Sequence, residues 1–104
     1  MARALADLLQ TLPGIAPLRP NCAPGNIAIA GVTADSRLVQ PGWLFVALRG
    51  ATVDGHEFIP KAVAQGASAV VGAAEIVALP PIDVPYVRVS DARAAMATLA
   101  AAFH

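Results

Sequence analysis

Charged residues, cysteines and long apolar runs are all scarce in this sequence, and each shortage removes a class of function. Only 13% of the 104 residues are charged, and seven basic residues balance seven acidic ones. A protein that neutralises several nucleic-acid phosphates presents a basic face. Here six Arg and one Lys are scattered along the chain, so nucleic acid is not an expected partner. Cys22 is the only cysteine, which excludes an internal disulfide, and no Cys/His cluster has the spacing of a zinc site. The longest uncharged run, Pro20 to Ala34, holds 15 residues and is broken by two Pro and two Gly. A membrane-spanning helix needs about 20 largely apolar residues, so no membrane partner is expected either. Met1 to Gln10 carries Asp7 inside its first apolar stretch and makes a poor signal peptide. These absences predict a cytoplasmic domain without a metal.

What is present is apolar and small. Hydrophobic residues make up 57% of the chain, and 24 of them are alanine. The length suits one domain, residues 1–104, and is enough to bury a real core. Leu5, Leu8, Leu9 and Leu12 recur at helical spacing until Pro13-Gly14 stops the pattern. A Pro- and Gly-punctuated segment to Gly25 reads as loop, and Ile27 to Thr33 reads as a strand. Gln40-Pro41-Gly42 suits a type II turn, with Gly at the position of positive φ. Trp43 to Leu48 is a nearly continuous apolar strand of the kind buried on both faces. Asp54 and Glu57 have capping-box spacing ahead of a helix striped by Phe58, Ile59, Ala62 and Val63, which ends near Gly66. Ala69–Val71 and Tyr86–Val89 are short β-prone runs. Ser90 is placed to cap a last helix lined by Ala92, Met96, Leu99 and Phe103. The order α, β, β, α, β, β, α predicts an α/β fold, a mixed sheet flanked by helices.

No enzymatic constellation emerges, and no catalytic residue is expected. Lys61 is the only lysine, and no phosphate-cradling Gly-x-x-x-x-Gly-Lys loop or Gly-x-Gly-x-x-Gly fingerprint occurs. No cue sets a serine and a carboxylate beside His56 or His104. Two loops stand out because each follows a predicted strand, where α/β folds place ligands. In Thr33 to Arg37, Asp35, Ser36 and Arg37 combine a carboxylate, a small donor and a guanidinium fork suited to phosphate. Spacing alone favours a turn in which Asp35 and Ser36 cap and Arg37 is solvated, a common use of Asp and Ser. In the second loop, Gly50 permits close backbone approach, and the amides of Ala51, Thr52 and Val53 could meet an anion or a base edge. His56 lacks a visible ligand partner and reads better as a structural hydrogen-bonding group.

Taken in order, four blocks carry a family resemblance. They are Gly31-Val32-Thr33-Ala34-Asp35-Ser36-Arg37, Val39-x-Pro41-Gly42-x-Leu44-Phe45-Val46-Ala47-Leu48-x-Gly50, Asp54-Gly55-His56-x-Phe58-Ile59, and Ala62 with Gly66-Ala67-x-Ala69-Val70-Val71. Their order and spacing resemble the N-terminal domain of Mur ligases, over almost the whole chain. The leucine helix and the ending from Asp91 through Ala92, Arg93, Leu99 and Phe103 are most similar to the MurE type, a UDP-N-acetylmuramoyl-L-alanyl-D-glutamate ligase of peptidoglycan and cell-wall biosynthesis. The MurF type shares two of the blocks and is the alternative. A non-catalytic interaction module with an idle nucleotide site is a second one.

The resemblance implies that the domain holds the UDP part of UDP-N-acetylmuramoyl-dipeptide. Substrate contacts would fall on Ala34, Ser36, Ala51, Thr52 and Val53, with Asp35, Arg37, Gly50 and His56 in support. It also implies that ATP and Mg2+ are used by the parent ligase on a central domain beyond this chain, with no cofactor here. The remaining ligase domains would be partners in the full-length protein.

Overall fold

Strands and helices alternate in the computed structural model, which describes residues 3–9, 27–48, 55–73 and 84–102. Arg3–Ala4 (β1) runs directly into a short helix, Leu5–Leu9 (α1). Ala28–Ile29 (β2) and Gly31–Thr33 (β3) follow, separated only by Ala30. β1 pairs antiparallel with β2, setting Arg3 opposite Ile29. β3 opens a four-stranded sheet with Trp43–Val46 (β4), Ala69–Gly72 (β5) and Tyr86–Arg88 (β6), in the order β3-β4-β5-β6. All three of its pairings are parallel. Ile59–Ala64 (α2) connects β4 to β5, and Ala92–Ala102 (α3) follows β6. The expected α/β fold, a sheet flanked by helices, is therefore observed; among the described residues the antiparallel pairing is that of the β1–β2 ribbon, and a parallel sheet carries the core.

A parallel sheet has helices on its faces, so its central strands must be apolar on both sides. β4 meets that demand: Leu44, Phe45 and Val46, with Ala47 just beyond, are each 0–1% exposed. Alternation then sorts these side chains to opposite faces. Leu44 and Val46 join Ala69, Val71 and Val87 in one cluster, closed by Leu5 and Leu8 of α1 and by Ala92, Ala95 and Leu99 of α3. Phe45 and Ala47 join Val70 and Tyr86 in the other, closed by Ile59 and Ala62 of α2 and by Val39. Ala62, Ala92 and Ala95 are the small helical members of these two clusters.

Local signals mostly operate as expected. Gly42 has φ 87°, and the Trp43 amide donates to the Gln40 carbonyl at 3.0 Å, which closes the expected turn. Gly66 ends α2 with φ 107°, its amide donating to Val63 O at 3.0 Å. Trp43 departs from a fully buried role. It is half-buried, and its indole lies so close to Gly31 that a Cβ there would come within 2.5 Å of Cε2.

One expected cap lies outside the described residues, and another differs from expectation. Asp54 lies outside the described residues; Gly55–Phe58 forms a 3-10 helix, and α2 starts only at Ile59. Pro60 sits in that first helical turn, where its missing N–H costs nothing and its fixed φ favours the helix. At α3 the cap is Asp91, not Ser90. Asp91 Oδ1 accepts from the Arg93 amide at 3.0 Å and the Ala94 amide at 3.1 Å. A carboxylate at a helix N-terminus also complements the helix dipole, an advantage a serine hydroxyl lacks. The buried stripe of α3 is Ala92, Ala95 and Leu99, with Met96 half-buried; Phe103 lies outside the described residues.

Candidate functional site

Parallel pairing sends the chain off β3 and β4 at the same edge of the sheet. Thr33, the last residue of β3, sits beside Phe45 of β4, and the first loop singled out in the sequence leaves from there; after β4 the described chain runs to Leu48. Ligands of open α/β sheets bind outside the carboxyl ends of the strands. Topology thus places the candidate site without reference to any side chain.

The first loop is built by short-range hydrogen bonds. Thr33, buried at 7% exposure, accepts the Asp35 amide on Oγ1 at 3.1 Å. Asp35 has extended backbone (φ −106°, ψ 112°), and its Oδ1 accepts the Arg37 amide at 2.9 Å, capping the 3-10 helix Ser36–Leu38. The Leu38 amide closes the turn on Asp35 O at 3.0 Å. Asp, Ser and Thr side chains compete well for nearby backbone amides, which is why this sequence makes a tight turn here.

The same carboxylate grips the guanidinium. Arg37 Nε donates to Asp35 Oδ1 at 3.1 Å and Nη2 to Oδ2 at 2.9 Å, a two-pronged pairing. That hydrogen bonding holds the Asp35 carboxyl at about 2 and pushes the Arg37 guanidinium above its ordinary value. A carboxylate so acidic is too weak a base to take a proton near neutral pH. Asp35 and Arg37 therefore form a paired, ionised unit that shapes the turn. Arg37 is 79% exposed, so the turn reading of this loop holds for Asp35, while Arg37 is paired as well as solvated.

Ser36 and Ala34 face inward. Ser36 is buried at 8% exposure, and Ala34 is half-buried against the cluster shared with α1 and α3. The Ser36 carbonyl accepts a hydrogen bond from Gln65 Nε2 at 2.9 Å, across 29 positions of sequence. The structure therefore brings Ala34, Asp35, Ser36 and Arg37 into one turn. It adds Thr33 as the hydroxyl that shapes the turn and Gln65 as its long-range tie. Gln65 left no trace in the sequence pattern, because nothing in local spacing reports a contact between separate elements. Gly50, Ala51, Thr52 and Val53 lie outside the described residues. His56 contributes backbone to the 3-10 helix Gly55–Phe58, and its side chain also lies outside the description. Among the described residues, no group of three or more His, Cys, Asp or Glu could hold a metal ion, and no helix is long and apolar enough to cross a membrane.

Comparison with known proteins agrees with this architecture. Residues 28–104 match the family model described as "Mur ligase family, catalytic domain". The chain is 40% identical over 101 residues to the UDP-N-acetylmuramoyl-L-alanyl-D-glutamate--2,6-diaminopimelate ligase of Chlorobium phaeobacteroides, covering 97% of this chain and 19% of that protein. It is 56% identical over 75 residues to the Caulobacter vibrioides enzyme of the same name, covering 72% of this chain and 15% of the relative. It is 54% identical over 82 residues to the UDP-N-acetylmuramyl-tripeptide synthetase of a Roseiflexus species, covering 78% of this chain and 16% of the relative. The chain thus spans less than a fifth of the length of these relatives. Among solved structures, MurF from Acinetobacter baumannii matches 94% of this chain and 20% of its own, with TM-score 0.77 and 24% identity, a likeness of fold. A parallel sheet layered between helices, together with these matches, leads to one conclusion: the chain belongs to the Mur ligase family.

Proposed function

We propose that this chain is the N-terminal, UDP-binding part of a cytoplasmic ligase of the MurE type. It holds the UDP moiety of UDP-N-acetylmuramoyl-L-alanyl-D-glutamate while the parent enzyme adds the third residue of the peptidoglycan stem peptide. The observation that carries the reading is the turn Thr33–Leu38 at the carboxyl edge of the sheet, within a chain 40–56% identical to ligases of that name. Ala34 offers an apolar wall and Ser36 a small buried donor. Ala51, Thr52 and Val53 supply backbone contacts from the neighbouring loop, with Asp35, Arg37, Gly50 and His56 in support. Anchoring a nucleotide handle far from the reacting carboxylate is a sound use of binding energy, since it positions that carboxylate without touching it. ATP and Mg2+ belong, on this reading, to another domain of the parent ligase, which makes the remaining domains partners of this one.

The MurF-type reading is favoured by one observation, the fold match to Acinetobacter baumannii MurF. The identities of 40–56% to ligases and a synthetase acting one step earlier weigh against it. A titration of the labelled chain with UDP-N-acetylmuramoyl-L-alanyl-D-glutamate, with ADP as control, tests the anchor. Shifts at Ala34–Arg37 and Gly50–Val53, silent with ADP and diminished in Ser36→Trp, are expected. Equal affinity in the Ser36→Trp variant would remove this turn from the site.

A further inference from the structure

We infer that Gln65 is a positioning residue for the nucleotide-sugar site, acting through the Ser36 carbonyl; this rests on the anchor reading above. The hydrogen bonds within residues 33–38 define the internal shape of the turn. None of them says where the turn sits relative to the helical layer. Val39, next in the chain, is buried against Ile59 and Ala62 of α2, but apolar packing is non-directional and sets no register. The directional tie is the 2.9 Å hydrogen bond from Gln65 Nε2 to Ser36 O.

Gln65 is itself held firmly. It caps α2, and its amide donates to Lys61 O and Ala62 O, each at 3.1 Å. Gly66 follows with φ 107°, and its carbonyl accepts the Gly42 amide at 3.0 Å. A Cβ on Gly66 would lie 2.8 Å from Pro41 Cα, so the helix end rests directly on the turn that starts β4. The Gln65 side chain thus projects from a fixed base, the junction of α2 with the Pro41–Gly42 turn, to the main chain of Ser36. Ser36 is the buried member of the proposed contact set, and a displacement of its backbone moves the whole Ala34–Arg37 turn. Gln65 touches no substrate in this account. It determines where the groups that do are held.

The test is a double-mutant cycle on the 104-residue chain, read by affinity for UDP-N-acetylmuramoyl-L-alanyl-D-glutamate. Gln65→Met keeps length and removes the donor; Gln65→Glu does the same at neutral pH and substitutes for it should the Met variant fold poorly. Loss of one part-buried hydrogen bond predicts about three- to ten-fold weaker binding. Amide shifts in the free protein should change at Asp35–Leu38 and remain in place along β5 and β6. If Gln65 acts through the turn, its substitution should weaken binding less in the Ser36→Ala background than in the unsubstituted chain, whereas a general loss of fold would weaken it equally in both. Additive effects, or unchanged affinity in the Gln65 variants, overturn the positioning role and leave the anchor intact. Absence of binding by the unsubstituted chain overturns both.

Discussion

Replacing Gly66 by alanine isolates the contact on which the helical layer and the candidate turn both depend. Two costs arise. At φ 107° a side chain enters a backbone region that L-residues avoid, at about 1–2 kcal/mol. The new Cβ would also stand 2.8 Å from Pro41 Cα, which is backbone and cannot rotate away; relieving such overpacking costs typically ~1–3 kcal/mol. Gly42 is the natural control. Its φ is 87°, but a Cβ there meets only Ala30 Cβ at 3.7 Å, an ordinary contact. Gly42→Ala should therefore cost the backbone part alone, about 1–2 kcal/mol, and Gly66→Ala about 2–5 kcal/mol. Domains of this kind have only ~5–15 kcal/mol in total. In urea, with a mid-range slope of roughly 2 kcal/mol per molar, the Gly66→Ala midpoint should fall by about 1–2.5 M and well below that of Gly42→Ala. Equal midpoints for the two variants, with unchanged slopes, would refute the claim that α2 closes directly on Pro41.

Two further expectations follow from the caps and the turn. Asp91→Ala should destabilise the chain by about 1 kcal/mol through loss of the α3 cap, whereas Ser90→Ala should change the urea midpoint little; the reverse ranking would return the cap to Ser90. The Asp35 carboxyl, held at about 2 chiefly by Arg37, should titrate there by carboxyl-carbon NMR and return toward 3.8 in Arg37→Met. Because the folded value lies below the unfolded one, the contribution of this pairing is present above pH ~3.9 and lost as pH falls through about 2. A midpoint near 3.8 in the unsubstituted chain would show that the pairing does not persist in solution.

Legibility in this sequence tracks the range of the interaction. Gln40-Pro41-Gly42 announces its turn because proline and glycine have narrow or exceptional backbone preferences that operate within four residues. Trp43 to Ala47 announces a doubly buried strand because a parallel sheet admits little else at its centre. Capping was misjudged at α3 because Ser90 and Asp91 are adjacent and both competent, and the choice depended on where the chain leaves β6. The delayed start of α2 was likewise unread, although Pro60 marks it. Within the candidate site, Asp35, Ser36 and Arg37 were visible as residue types suited either to a turn or to a ligand, and the structure joins Asp35 and Arg37 by their side chains while burying Ser36.

The amino-acid sequence by itself determined the apolar patterning of β4, α2 and α3 and the turn at Gln40–Gly42, because propensity and patterning are properties of neighbouring residues, and the order of its four blocks carried the family resemblance. Only the tertiary structure decided which face each strand side chain joins, that β3 and β4 end at one edge of a parallel sheet, and that Gln65 reaches Ser36 across 29 positions. Those features depend on strand register and helix docking, which take shape when separate elements bury their apolar faces against one another.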